Sequence, residues 1–263
     1  AVGLFSLISL KAEDRPNIVF FLVDDLGWSD VGCNGSPFYD TPHIDQLAAE
    51  GVRFTSAYAA CHVCSPTRAS ILTGKYPATL NLTDWLNGRS DRPYQVLKNP
   101  DKAMALDSAE TTLAEALKKE GYATALFGKW HLGEDLQGFT VSSANGKPGV
   151  VGKRFYGDID VAEKLTDAAV QFIDQNKEKP FFLYVAHWDV HSPIRARKSV
   201  VAKYKKKLET YRDEGDWEWN PTYAAMLDAV DTSVGRIRAK IKQLGLDDNT
   251  LIIFTSDNGG ASF

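Results

Sequence analysis

The sequence predicts an α/β fold in which a mostly parallel sheet lies between helices on both faces. Two observations carry this expectation. Apolar runs of strand length recur at 16–23, 122–127, 180–186 and 250–256, and segments of helical periodicity lie between them. The runs are continuous, as in strands buried on both faces, and βα alternation leads to parallel pairing. At 263 residues, 44% hydrophobic and 24% charged, the chain can bury a large core, and it contains no repeat or low-complexity tract. A formal charge of −4 argues against a nucleic-acid partner.

Residues 1–10 are apolar, lack an initiator methionine and precede Lys11-Ala12-Glu13-Asp14. They read as the tail of a secretory signal's apolar core, too short to span a membrane. We therefore expect residues 1–14 to be a signal-peptide remnant or disordered leader on an exported protein (secreted, periplasmic or lysosomal), with one domain over 15–263. Beyond the first strand, Thr41-Pro42 starts a helix through Glu50 that Gly51 stops, and 52–59 is extended. Pro66 suits the first turn of a helix ending at Thr73-Gly74, with residue 64 just outside its N-terminus. A helix over 111–120 presents Leu113, Ala116 and Leu117, and Gly121 ends it. Helices over 159–176 and 223–244 each lead into a strand. The lysine-rich run 203–207 reads as a solvated helix face, or with Arg195, Arg197 and Lys198 as a local cationic surface.

The most informative stretch is Cys64-Ser65-Pro66-Thr67-Arg68, followed by Ala69 to Gly74. A residue at position 64 faces unpaired N–H groups and the positive end of a helix dipole, which favours anionic oxygens. Arg68, one turn along, can reach back towards the same anion. Cys61-His62-Val63-Cys64 also reads as a redox or zinc pair, yet Cys33 is the one remaining cysteine, so four thiolates are out of reach. Two strands end in acids and amides: the first in Asp24-Asp25, the last in Asp257-Asn258-Gly259-Gly260. Taken alone, Asp24-Asp25 fits a solvated turn or helix cap. Together the pairs offer only oxygen ligands, the preference of hard cations. Lys129 and His131 lie in the glycine-flanked run Phe127 to Gly133, and His187 and His191 in the run after the 180–186 strand. Trp85 and Trp130 fit either a sugar site or the core.

These four segments together resemble the signatures of the type I sulfatases, members of the alkaline phosphatase superfamily. The resemblance implies that Cys64 is oxidised to formylglycine (3-oxoalanine), whose hydrate attacks sulfur in line. A sulfate ester forms on the enzyme, and the second hydroxyl expels sulfate as the aldehyde returns. It implies one divalent metal, most often calcium and alternatively magnesium, held by Asp24, Asp25, Asp257, Asn258 and the modified residue 64. Arg68, Lys129, His131 and His191 are then catalytic, and Lys129 and His191 contact substrate; His187 is a further candidate for substrate contact and could equally be a core residue or one that supports the site from behind. The implied partners are a sulfated carbohydrate or aryl sulfate, and a formylglycine-generating or anaerobic sulfatase-maturing enzyme. Family members continue beyond the Asp-Asn pair with a further lysine and a smaller C-terminal subdomain. The resemblance therefore implies that 15–263 is the N-terminal portion of the catalytic domain, with an exposed apolar sheet edge or face and a possible association with that subdomain. A phosphate or phosphonate monoester hydrolase, and a domain that binds sulfated glycans without cleaving them, are the alternatives.

Overall fold

The computed structural model describes residues 15–143, 158–211 and 219–261; the expected leader, 1–14, lies outside the described residues. Five strands form one sheet in the order β3-β2-β4-β1-β5, with every adjacent pair parallel. They are β1 (Asn17–Val23), β2 (Ala123–Gly128), the two-residue β3 (Val141–Ser142), β4 (Phe181–His187) and β5 (Thr250–Ser256). The expected strands all form, within one residue at each end, and β3 is an addition.

The helices are α1 (Pro42–Glu50), α2 (Cys64–Thr73), α3 (Leu113–Lys119), α4 (Val161–Asn176), α5 (Lys198–Thr210) and α6 (Pro221–Gln243). Strand alternation sorts the core into two layers. Phe21, Val23, Phe127, Leu183 and Val185 pack with α1, α4, α5 and α6, while Leu22, Leu126, Phe182 and Tyr184 pack with α2 and α3. Local chemistry sets the helix ends. Thr112 and Glu115 form a reciprocal capping box at α3. Asn220 accepts from the amides of Thr222 and Tyr223, so α6 starts at Pro221 rather than at the expected Tyr223. Gly74 ends α2 in the left-handed region. Part of the lysine-rich face of α5 is neutralised, since Lys203 pairs with Asp228 and Lys207 with Asp40.

Two expectations need correction. Cys64 is the first residue of α2, not the residue outside it, because the extended Val63 takes the N-cap position. Segment 52–59 joins no strand, and Val52, Phe54 and Tyr58 stand 81%, 79% and 90% exposed. Strand β5 forms one edge of the sheet, with Leu251 52% exposed.

Register carries these elements to function. Val23 aligns with His187 on one side and Ser256 on the other, and Gly128 aligns with Ala186. The segments that follow β1, β2, β4 and β5 therefore leave one edge of the sheet together, the carboxyl edge where ligands bind in open α/β sheets. Gly128 makes this close approach possible. Its φ is +113°, and a Cβ there would lie 1.8 Å from the Ala186 carbonyl oxygen. Gly128→Ala is expected to cost at least about 3 kcal/mol of stability, read as a lowered urea midpoint; an unchanged midpoint would show that this strand end is free to move.

Candidate active site

At the carboxyl edge, Arg68 clasps two acids delivered by different strands. Its Nη2 lies 2.7 Å from Asp257 Oδ2 and 3.2 Å from Asp24 Oδ1, and its Nη1 donates to the Lys129 carbonyl at 2.9 Å. The guanidinium thus spends its Nη donors on two carboxylates and a carbonyl, while lying near enough to residue 64 to act on it electrostatically. Burial opposes its charge, but Asp257 and Asp24 more than offset this and hold its pKa above the ordinary arginine value. Lys129 Nζ reaches Asp24 Oδ2 at 2.6 Å and sits 5.7 Å from the ring centre of Trp188. Burial pushes the Asp257 carboxyl above its usual range, with Asp24 adding to the shift and Arg68 opposing it.

Asp25, in the left-handed region at φ 57°, donates its amide to Asp257 Oδ1 and accepts from Asn258 Nδ2 at 2.8 Å. One carboxylate oxygen each from Asp24, Asp25 and Asp257 lie within 4.8 Å of one another. The Asn258 Oδ1 is buried and has no hydrogen-bond partner. A buried amide oxygen without a donor, beside three converging carboxylates, is the donor set of a hard cation such as calcium or magnesium. The charges agree. Three carboxylates face two cations, and one divalent ion would turn a net negative pocket into one with net positive charge suited to an anion.

Residue 64 and His131 form the second half of the site. Cys64 Sγ lies 3.3 Å from His131 Nδ1, while His131 Nε2 lies 2.7 Å from the Leu86 carbonyl. A carbonyl only accepts, so Nε2 carries the proton and Nδ1 faces residue 64 as an acceptor. Burial, then Lys129, push the His131 pKa down to about 4 and keep the ring neutral. Burial also raises the Cys64 pKa, so its sulfur stays a thiol, a poor nucleophile. Cys33, Cys61 and Cys64 are all unbonded, and Cys61 is held in a turn by Thr67, whose Oγ1 contacts its amide and carbonyl. His191 stands at the rim, its Nε2 3.7 Å from Asp25 Oδ2.

His187 and Trp130 do not reach the site. His187 projects to the opposite side, fully buried, stacked on Phe21 with ring centres 6.5 Å apart and neither ring nitrogen partnered. Strand alternation places it with Leu183 and Val185, so the expected substrate contact is absent. Trp130 is 1% exposed in the α2–α3 layer and is a core residue. Sequence reasoning missed two contributors. Leu86 fixes the tautomer of His131, and its own backbone N–H donates a hydrogen bond to Ser65 Oγ at 3.1 Å. Asp189 exchanges backbone bonds with the Asp24 strand end through its carbonyl and the next amide. Its buried carboxyl is pushed up to about 7 by burial and by Asp24. An acid directly after His187-Trp188 was the one available signal; nothing local marks Leu86.

A family model described as Sulfatase matches residues 16–263. The chain belongs to the sulfatase family. This sulfatase chain is 34% identical to the N-acetylgalactosamine-6-sulfatase of Mus musculus, a match covering 99% of the chain and 53% of the relative. It is 29% identical to the N-acetylgalactosamine-6-O-sulfatase of Bacteroides thetaiotaomicron, covering 94% and 59%. Among solved structures, Ps i-CgsB superposes with a TM-score of 0.76 at 30% identity, covering 94% of this chain and 59% of that one. Its complex with k-i-k-neocarrahexaose superposes at 0.74. The phosphonate monoester hydrolase of Agrobacterium radiobacter, at 21% identity and a TM-score of 0.65, shares the fold alone. The sulfatase chain thus spans about half the length of the curated relatives it matches.

The buried histidine makes a pH test. The pKa of His187 falls from 6.5 to about 4 through burial, so the unfolded chain binds the extra proton between those values. Stability is therefore lost as pH falls from 6.5 towards 4. His187→Phe removes this loss, and its stability relative to wild type is expected to rise by about 2 kcal/mol between pH 7 and pH 5 in paired urea titrations. A difference that stays constant with pH would mean that the ring has a partner.

Proposed function

We propose that this protein is a sulfuric ester hydrolase that releases sulfate from a sulfated carbohydrate, with residue 64 converted from cysteine to formylglycine and a calcium ion, or magnesium, beside it. The observation that carries this reading is the pairing of residue 64 with the acceptor nitrogen of His131, next to the oxygen donors of Asp24, Asp25, Asp257 and Asn258. The high thiol pKa adds support, since an unmodified Cys64 would make a weak nucleophile at neutral pH. The names of the relatives, sulfatases of N-acetylgalactosamine, support a carbohydrate sulfate over a simple phosphate ester.

Each residue then has a role. The hydrated aldehyde would supply an attacking oxygen and a second hydroxyl, and the metal would neutralise charge on the sulfate oxygens. His131 Nδ1 accepts a proton from a hydroxyl at position 64, because its other nitrogen is committed to Leu86. Lys129 sets a buried positive charge against the incoming sulfate, and the N-terminus of α2 adds amide donors. Arg68 holds Asp24 and Asp257 at ligand spacing. His191, at the open rim, is placed to protonate the departing alcohol. The proposed partner in maturation is a formylglycine-generating or anaerobic sulfatase-maturing enzyme. The apolar segment 1–10 supports an exported protein, and no helix among the described residues is long and apolar enough to cross a membrane.

Two measurements check this. In protein from a host able to perform the conversion, the tryptic peptide carrying residue 64 is expected to be about 18 Da lighter than its cysteine form, by mass spectrometry. An unmodified thiol there would leave binding without turnover as the surviving reading. Calcium at about 100 times its Kd is expected to raise the Tm by about 5–10 °C, and Asp25→Asn to abolish the shift. An equal shift in both proteins would place the ion elsewhere.

A further inference from the structure

Cys61 is the half of the Cys61-His62-Val63-Cys64 motif that hydrolysis leaves unused. Thr67 holds it in place: its Oγ1 accepts from the Cys61 amide at 3.2 Å and donates to the Cys61 carbonyl at 2.9 Å. The loop ahead of α2 is thereby folded back on the first turn of that helix, the turn that Cys64 begins. Residues three apart on a helix are neighbours, so a clamp on Thr67 keeps residue 61 beside residue 64. Both thiols are unbonded. Cys61 is half-buried and within reach of solvent, whereas Cys64 is 8% exposed.

Each of the two thiols faces an imidazole. Cys61 Sγ lies 3.8 Å from His62 Nδ1, and Cys64 Sγ lies 3.3 Å from His131 Nδ1. A base beside each sulfur is what thiol–disulfide exchange needs, since the thiolate is the attacking form. A metal reading of the motif fails on geometry. Among the described residues, the histidine, cysteine and acidic side chains that gather closely enough for an ion are Asp24, Asp25 and Asp257, and neither cysteine joins them.

We propose that Cys61 and Cys64 of the unconverted chain form a reversible disulfide when they meet a disulfide oxidant such as glutathione disulfide, and that this bond withholds Cys64 from conversion to formylglycine. The pairing stands on the geometry; its effect on conversion rests on the sulfate ester hydrolysis proposed above. The more exposed thiol reacts first. Cys61 gives its proton to His62, and its sulfur attacks the oxidant, forming a mixed disulfide and expelling one thiolate. Cys64 then gives its proton to His131 Nδ1 and attacks the Cys61 sulfur, expelling the second thiolate. The protein loses two protons and two electrons, and the expelled thiolates take up the protons to leave as two thiols.

The first test uses full-length protein from a host without the conversion, treated with glutathione disulfide near neutral pH, blocked with iodoacetamide and cut with trypsin. Both cysteines fall in the peptide 54–68. The wild-type peptide is expected to be about 2 Da lighter than its dithiol form and to take up no alkyl group. Cys61→Ser is expected to lose this species, and His62→Ala to slow its appearance at least about threefold with the same final extent. Two alkyl groups, two glutathione adducts, or a bond from either residue to another cysteine would overturn the pair, and an unchanged rate in His62→Ala would overturn the role given to that histidine. The second test coexpresses the protein with a formylglycine-generating enzyme in an oxidising compartment and reads the same peptide. Cys61→Ser is expected to raise the converted fraction, about 18 Da lighter at residue 64, at least about threefold over wild type. An equal fraction overturns the block on conversion. Conversion in neither protein overturns that block together with the sulfatase reading, while the 2 Da loss in the first test would still sustain the disulfide.

Discussion

The site depends on one buried ion cluster, in which the Arg68 guanidinium ties the end of β1 to the end of β5 through Asp24 and Asp257. These side chains are buried, so each charge needs its partners; removing one member of such a cluster typically costs about 3–5 kcal/mol. Lys129 brings the end of β2 into the same cluster, and the Lys129 carbonyl closes it by accepting from Arg68. Three strand ends and the start of α2 are thereby fixed relative to one another by four side chains. The rest of the site is arranged around that fixed point.

The electrostatics follow from it. The cations Arg68 and Lys129 lie on the side of residue 64 and His131, while Asp25, Asn258 and His191 lie towards the rim. Lys129 helps to keep His131 neutral, and neutrality is what leaves its Nδ1 free to accept a proton. The orphaned amide oxygen of Asn258 lies at the other end of the same cluster. Within a few ångströms the fold sets a proton acceptor beside a helix N-terminus and a cluster of oxygen donors that could hold a cation, a combination suited to an anionic substrate.

His187 shows how strictly strand geometry divides function from packing. It ends β4 one residue before Trp188, which neighbours Lys129, yet its side chain falls on the α4–α6 side against Phe21. A fully buried histidine with no partner is a destabilising element, tolerated because the surrounding apolar layer over-determines the strand. Asp189, two positions further, leaves the strand and turns its backbone to Asp24, so the loop after β4 is stitched to the end of β1.

The parallel sheet, its helical layers and most of the site were legible in the sequence, because strand ends, helix starts and apolar periodicity are local signals. Asp24-Asp25 and Asp257-Asn258 each stood out as oxygen ligands ending a continuous apolar run, and the resemblance to sulfatases joined the two pairs. Cys64, Lys129, His131 and His191 came from motifs. Tertiary structure alone decided that Arg68 ties Asp24 to Asp257, and that His187 and Trp130 belong to the core. It also brought Leu86 to His131 across 45 residues of sequence. The physical reason is common to all of these. Which face a side chain occupies, and which distant carbonyl it meets, depend on strand order and helix packing, whereas the sequence pattern specifies only the elements themselves.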